Sequence, residues 1–307
     1  MVQVMNAGRL AGPRERKLGA FCVALVAPVL LASPSTSDSV RFTNQTGTLE
    51  HRFALVTTVD QAGKPFAARA DSFRADNDAI QCEVISVAPA TYPVAVILDT
   101  SANVRSDFRT LQSAVAGFVR DLPQRDVAIY VSGGPVSRLV DFTRDQERLQ
   151  HAVASPAAAP NSPTQTLDAV LRASKDLRRL NAPVSGIVAV SGGGLEWSPP
   201  AGSQVWAALQ ASRTILTIVE NRSLHSDDGR PPQLSDGDVL EALSVRTHGK
   251  YVRGTSAGVY TSGLDSVRQE MEAQVLVEYT VPSGAPHALN LRAKAPALIV
   301  MAIELQP

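Results

Sequence analysis

The chain has 307 residues, 44% of them hydrophobic and 19% charged, with 29 basic and 29 acidic side chains. That length supports one large domain or two smaller ones with proper cores, and the composition is that of an ordinary globular protein. A formal charge of zero excludes a broad electrostatic attraction to nucleic acid or anionic lipid, and two cysteines exclude a disulfide framework.

Residues 1–35 read as an export signal. Arg9, Arg14, Arg16 and Lys17 precede the apolar run LGAFCVALVAPVLLA at 18–32, and SPSTS then supplies small residues for cleavage. The run is short for a membrane span and contains Pro28. Retention as an uncleaved N-terminal anchor is the alternative. Without residues 1–33 the chain holds 25 basic and 28 acidic side chains, a net of −3. Cleavage removes Cys22, so Cys82 has no cysteine to pair with and is expected as a small buried hydrophobe. The expected location is periplasmic or secreted.

Residues 36–92 predict a small β-sandwich-like module of three or four antiparallel strands, with a strong turn at Asp60-Gln61-Ala62-Gly63-Lys64-Pro65. From residue 93 to 273 strand and helix alternate. VAVILD at 94–99 is a continuous apolar strand, as expected for burial on both faces of a parallel sheet. Leu111, Val115, Phe118, Val119 and Leu122 recur at helical spacing. DVAIYVS and SRLVDF are strands around a Gly133-Gly134-Pro135 reversal. The helix TLDAVLRASKDLRRL and the strand SGIVAVSGGG follow, and then VWAALQAS (helix), RTILTIVE (strand), a helix at 236–247, GKYVRG (strand) and a last helix at 258–273. This grammar predicts a doubly wound α/β domain with a mainly parallel sheet. Residues 274–307 return to strands without helices and are expected to pack with the N-terminal β-module.

In an open α/β sheet, ligands bind in the crevice outside the carboxyl ends of the strands. Asp99 and Ser191 both stand just past such ends, and Thr164 lies in a loop before a helix that reaches the same rim. Carboxylate and hydroxyl oxygens suit a hard cation such as Mg²⁺ or Mn²⁺. The bland alternative for DTSAN at 99–103 is an Asp/Ser turn capping the next helix through orphan N–H groups. A nucleophile at Ser191 is a weaker reading, because Ala189 breaks the G-x-S-x-G pattern and none of the five histidines has a distinctive spacing. The polar stretch 221–238 carries Asp227, Asp228, Asp236 and Asp238 outside any calcium-loop order and reads as a solvated loop. Trp206 is expected in the core, and Trp197 beside Glu196 is a candidate aromatic anchor at the rim.

Three stretches carry a resemblance: DTSAN at 99–103, SPTQTLDAV at 162–170 and GIVAVSGGG at 186–194. They resemble the motif regions of von Willebrand factor type A domains, where Asp-x-Ser-x-Ser ends the first strand, a threonine precedes a central helix and an aspartate ends the fourth strand. The segments ALVTTVDQAGKPFAARADSFRADNDAIQCEVISVAPATYP and HALNLRAKAPALIVMAIE are similar to the β-module and closing strands of related proteins common in Acidobacteria. The resemblance spans about residues 40–307 and implies an adhesion-type, non-enzymatic protein-binding module. It also implies a metal-ion-dependent adhesion site at Asp99, Ser101, Asn103 and Thr164, with a partner docking over a rim that includes Ser191, Glu196 and Trp197. Two departures weaken that site: Asn103 replaces the usual serine, and Ser191 replaces the second aspartate. Glu196, five residues further on, is a candidate to restore the lost charge. A metal-independent envelope assembly or scaffold protein is the second reading, and a serine hydrolase at Ser191 the third.

Overall fold

The structure, a computed structural model, describes residues 48–77, 80–122, 124–159, 161–194, 198, 200–222, 236–286, 289–294 and 298–305. The expected export signal, Glu196, Trp197 and residues 223–235 of the polar stretch lie outside the described residues. Among those described, no helix is long and apolar enough to cross a membrane.

Alternating apolar residues make Leu49–Val59 a strand, β1, with Ala54 and Val56 facing one core and Phe53 and Leu55 another. β2 (Phe73–Asn77) and β3 (Ile80–Pro89) pair antiparallel. The chain then enters the alternating region: β4 (Val94–Leu98), α1 (Phe108–Arg120), β5 (Val127–Val131), β6 (Ser137–Thr143), α2 (Gln146–Ala154) and α3 (Thr166–Leu180). It continues through β7 (Ser185–Ser191), α4 (Gly202–Ala211), β8 (Thr214–Asn221), α5 (Asp236–Arg246), β9 (Tyr251–Gly254) and α6 (Gly258–Glu272). Three strands close it: β10 (Gln274–Pro282), β11 (Leu289–Ala293) and β12 (Leu298–Leu305).

The central sheet has the order β6-β5-β4-β7-β8-β9 and is parallel except for the edge strand β6. Every residue of β4, β5 and β7 is buried, as continuous apolar runs require when helices cover both faces. Val94, Val96 and Leu98 face α1, α2 and α6, whereas Ala95 and Ile97 face α3, α4 and α5. The protein is therefore an α/β fold with a doubly wound, mainly parallel sheet. Its strand order reverses between β4 and β7, which opens the crevice where such sheets bind ligands.

The other sheet, β11-β2-β3-β10-β1-β12, is antiparallel and is built from both ends of the chain. It curls so that its edge strands β11 and β12 approach each other, around a core of Val56, Phe73, Cys82, Val277 and Tyr279. Its outer face carries Phe53, Leu55, Leu276, Met301 and Ile303, which join the core under α1 and α6. A register shift at Thr57/Thr58 inserts one extra residue of β12, so Ile299 turns inward while Met301, Ile303 and Leu305 turn outward. Cys82 is buried in this small core as expected. Trp206 packs beside α4's core, and the Arg246 guanidinium lies over its ring at 3.9 Å.

Candidate functional site

The apolar run of β4 stops at Asp99 because the chain must leave the sheet there, and a short side chain with acceptor oxygens satisfies the backbone that turns away. Asp99 has no exposed surface. Its Oδ1 accepts the Ser101 N–H at 2.8 Å, and its Oδ2 accepts the Gly192 N–H at 3.0 Å and the Ser191 hydroxyl at 3.3 Å. Burial pushes the Asp99 carboxyl above the usual carboxylate range, against the opposing pull of these donors. Ser101 caps only a short 3-10 turn at Ala102–Val104, its Oγ accepting the Asn103 N–H at 3.3 Å, whereas the helix expected to be capped, α1, follows Asp107 with no side-chain cap.

Four loops are tied together around this carboxylate. Thr164 donates to the Ser101 Oγ at 2.9 Å and lies 3.5 Å from Asp99 Oδ2. The Asn103 side-chain nitrogen donates to Thr164 Oγ1 at 3.0 Å and to the Gly193 carbonyl at 2.7 Å. Ser191 Oγ also accepts the Gly193 N–H at 3.1 Å. The loop after β5 completes the set, with Thr100 Oγ1 donating to the Gly133 carbonyl at 3.1 Å. A Cβ at Gly133 would stand 2.2 Å from the Ser101 nitrogen and the Thr100 carbonyl carbon, so this approach requires glycine. Gly193 and Gly194 have φ values of +71° and +96°, which lets the backbone after β7 fold back over Asn103.

Of the residues singled out from sequence, Asp99, Ser101, Asn103, Thr164 and Ser191 thus converge. The geometry changes the roles of two of them. Asn103 does not offer its carbonyl oxygen to the centre of the site. Its nitrogen faces two acceptors, and since the Gly193 carbonyl can only accept, the opposite orientation would set oxygen against oxygen. Ser191 lies beneath the rim, 3% exposed, with its hydroxyl taken up by Asp99 and the Gly193 N–H.

Among the described residues, which do not include Glu196, the donor set does not fit a divalent cation. Its one carboxylate already accepts bonds on both oxygens, and an amide N–H, which repels a cation, points at the threonine oxygen implied as a ligand. Among the described residues, no three His, Cys, Asp or Glu side chains are grouped so as to hold a metal.

A second carboxylate was missed. Glu220 ends the apolar strand RTILTIVE just as Asp99 ends VAVILD, and it is in register with Ser191 across β7 and β8. Its sequence signal was the same strand-terminal acid. Glu220 is buried, pairs with Arg222 at 3.1 Å and accepts the Tyr251 hydroxyl. Gly193 separates it from Asn103: a Cβ there would lie 3.1 Å from Glu220 Oε1. Next to it, Asn221 donates to Asp107 at 2.9 Å.

Residues 94–194 match the von Willebrand factor type A domain. The match begins with β4 and ends at the glycines that cover Asn103, so it takes in all five converging residues. No curated protein is significantly similar to the chain in sequence. Solved structures similar to it include a von Willebrand factor type A protein from Catenulispora acidiphila, 10% identical, with a TM-score of 0.48 over 86% of this chain and 74% of that one. Another is the conserved hypothetical protein BatB from Bacteroides thetaiotaomicron, 15% identical, with a TM-score of 0.46 over 59% and 97%. An aerotolerance-related membrane protein from Bacteroides fragilis is also 15% identical, with a TM-score of 0.44 over 59% and 98%.

Proposed function

We propose that the chain is an exported, non-enzymatic protein-binding module that docks its partner on the carboxyl-end rim of the von Willebrand factor type A sheet without needing a metal ion. The observation that carries this reading is the closed hydrogen-bond set around Asp99. It holds the loops after β4, before α3 and after β7 in one arrangement using only protein groups. Above that polar floor the rim presents Ala102, Asn103, Arg105, Asn161, Pro163 and Gly194, all exposed. Apart from Arg105, this platform consists of small or uncharged side chains and suits a protein surface, since little side-chain entropy is lost on docking. Export rests on the N-terminal sequence pattern alone.

No catalytic role is assigned to Ser191 in this reading. Its hydroxyl is spent on internal bonds, and neither partner is a histidine. A metal-free scaffold role using strand or helix surfaces is the alternative, and the same experiment separates the two. Capture of proteins from the native envelope fraction is compared for wild type, Ala102→Arg and Asn161→Arg, each in EDTA and in Mg²⁺. Docking at the rim predicts capture that survives EDTA and is lost in both variants, with their far-UV spectra unchanged. Capture unaffected by either variant would point to another surface, and capture abolished by EDTA would refute the metal-free reading. A broad esterase and peptidase screen with Ser191→Ala as control tests the non-enzymatic part.

A further inference from the structure

The bridging work implied for a cation in such a domain is to hold three loops together through their oxygens. Here one side chain does that work. The Asn103 nitrogen carries two hydrogens, and each has an acceptor on a different loop: Thr164 Oγ1 at 3.0 Å and the Gly193 carbonyl at 2.7 Å. The Asn103 backbone N–H fixes the third point by donating to Ser101 Oγ at 3.3 Å. The loop after β7 is shaped for this contact. Gly194 has a φ of +96°, and a Cβ there would stand 2.3 Å from the Asn103 nitrogen, so the backbone closes directly on the amide.

We infer that the Asn103 side-chain amide is a built-in replacement for the ion, tying the three rim loops with N–H donors where a metal would tie them with its charge. Loss of metal binding is then not a matter of one missing carboxylate. Restoring the acid at Ser191 alone leaves the Asn103 N–H on one lone pair of the threonine oxygen, with its partial positive charge set beside the place a cation would take. Two changes are needed together: removal of the amide and restoration of the acid. This inference rests on the metal-free reading of the rim above and is independent of whether a partner docks there.

The test is Mn²⁺ titration followed by the six-line electron paramagnetic resonance signal of the free ion, on wild type, Asn103→Ser, Ser191→Asp and the double variant. Wild type and Ser191→Asp are expected to leave the signal unchanged. The double variant is expected to remove one equivalent, with binding at least about tenfold tighter than either single variant shows. Stoichiometric binding by Ser191→Asp as tight as the double variant would overturn the inference while leaving the metal-free reading of the wild type intact. Binding by wild type would overturn both, and a folded double variant that ignores Mn²⁺ would overturn the inference. Should the double variant fail to fold, the wild-type protein decides. Its Asn103 side-chain NH₂ resonances should be slow to exchange with solvent and unmoved by Mg²⁺, and rapid exchange or a Mg²⁺-dependent shift would overturn the assignment.

Discussion

The Asp99 carboxylate accepts the Gly192 N–H at 3.0 Å, and this bond joins the ends of β4 and β7 across the point where the sheet order reverses. A second bond runs back through the same pair of strands, from the Asp99 N–H to the Val190 carbonyl at 3.0 Å. Removing the carboxylate strands two backbone donors, the buried one of Ser101 and the part-buried one of Gly192. Asp99→Ala is therefore expected to cost about 2–6 kcal/mol, at about 1–3 kcal/mol per orphaned group. In a thermal melt that is a fall of roughly 5–15 °C. A loss under about 1 kcal/mol would mean that these bonds do not hold the rim.

Two glycines should respond to alanine in opposite directions. At Gly133 the added Cβ meets backbone atoms at 2.2 Å, so the loops after β4 and β5 must separate and the Thr100 bonds to Gly133 break. The expected cost is about 2 kcal/mol or more. At Gly117, inside α1, the new Cβ makes only an ordinary 3.7 Å contact with the end of Arg120. Gly117→Ala should stabilise the protein by about 0.5–1 kcal/mol through helix propensity and a less flexible unfolded chain. Denaturant unfolding of both variants checks this, and equal effects of the same sign would sink it.

The periodicities carried most of the fold because they express burial directly. Continuous apolar runs marked β4, β5 and β7, which helices cover on both sides, and 3.6-residue spacing marked α1 and α3. Strand-terminal polar residues located Asp99 and Ser191 at the crevice, since chain order and parallel pairing leave few alternatives. Side-chain direction was not legible. Whether Asn103 presents oxygen or nitrogen depends on the Gly193 carbonyl, ninety positions away, and on the left-handed turn that brings it there. The surroundings of Glu220 are not legible in the sequence for a related reason. Its neighbour Arg222 is only two residues along the chain, but Tyr251 comes from β9, and only the pairing of β8 with β9 brings that hydroxyl to the carboxylate.

The two sheets share one core through Leu55. This residue of β1 has no exposed surface and packs with the residues under α1 and α6, while its neighbours Ala54 and Val56 face the smaller core. Leu55→Ala should cost about 2–5 kcal/mol, the range for emptying a leucine-sized space. Because the space lies at the junction, the β-module and the α/β domain should still melt in a single transition, both shifted downward. Two separated transitions in the variant, with only one displaced, would show that the cores unfold independently.

Tyr92 stands at the same junction, and its ionisation gives a pH signature. The ring is buried beneath the Arg125 guanidinium at 4.5 Å, and its hydroxyl donates to Gln274 Oε1 of β10 at 2.6 Å. Burial pushes the Tyr92 phenol up to about 12, from an ordinary value of 10.0, with Arg125 opposing the shift. A group whose folded value is raised contributes its stability fully below the unfolded value and loses it as pH climbs through the folded one. Tyr92 should therefore support the fold up to about pH 10 and lose that contribution between about pH 10 and 12. Two units correspond to about 2–3 kcal/mol. Other buried tyrosines titrate in the alkaline range too, so the informative measurement is the difference between wild type and Tyr92→Phe. At neutral pH the variant should be less stable by about 1 kcal/mol, the value of the lost bond to Gln274. That deficit should shrink and then reverse between pH 10 and 12, because phenylalanine has no proton to lose. A stability difference constant across that range would show that Tyr92 ionises no less readily in the folded protein than in the unfolded chain.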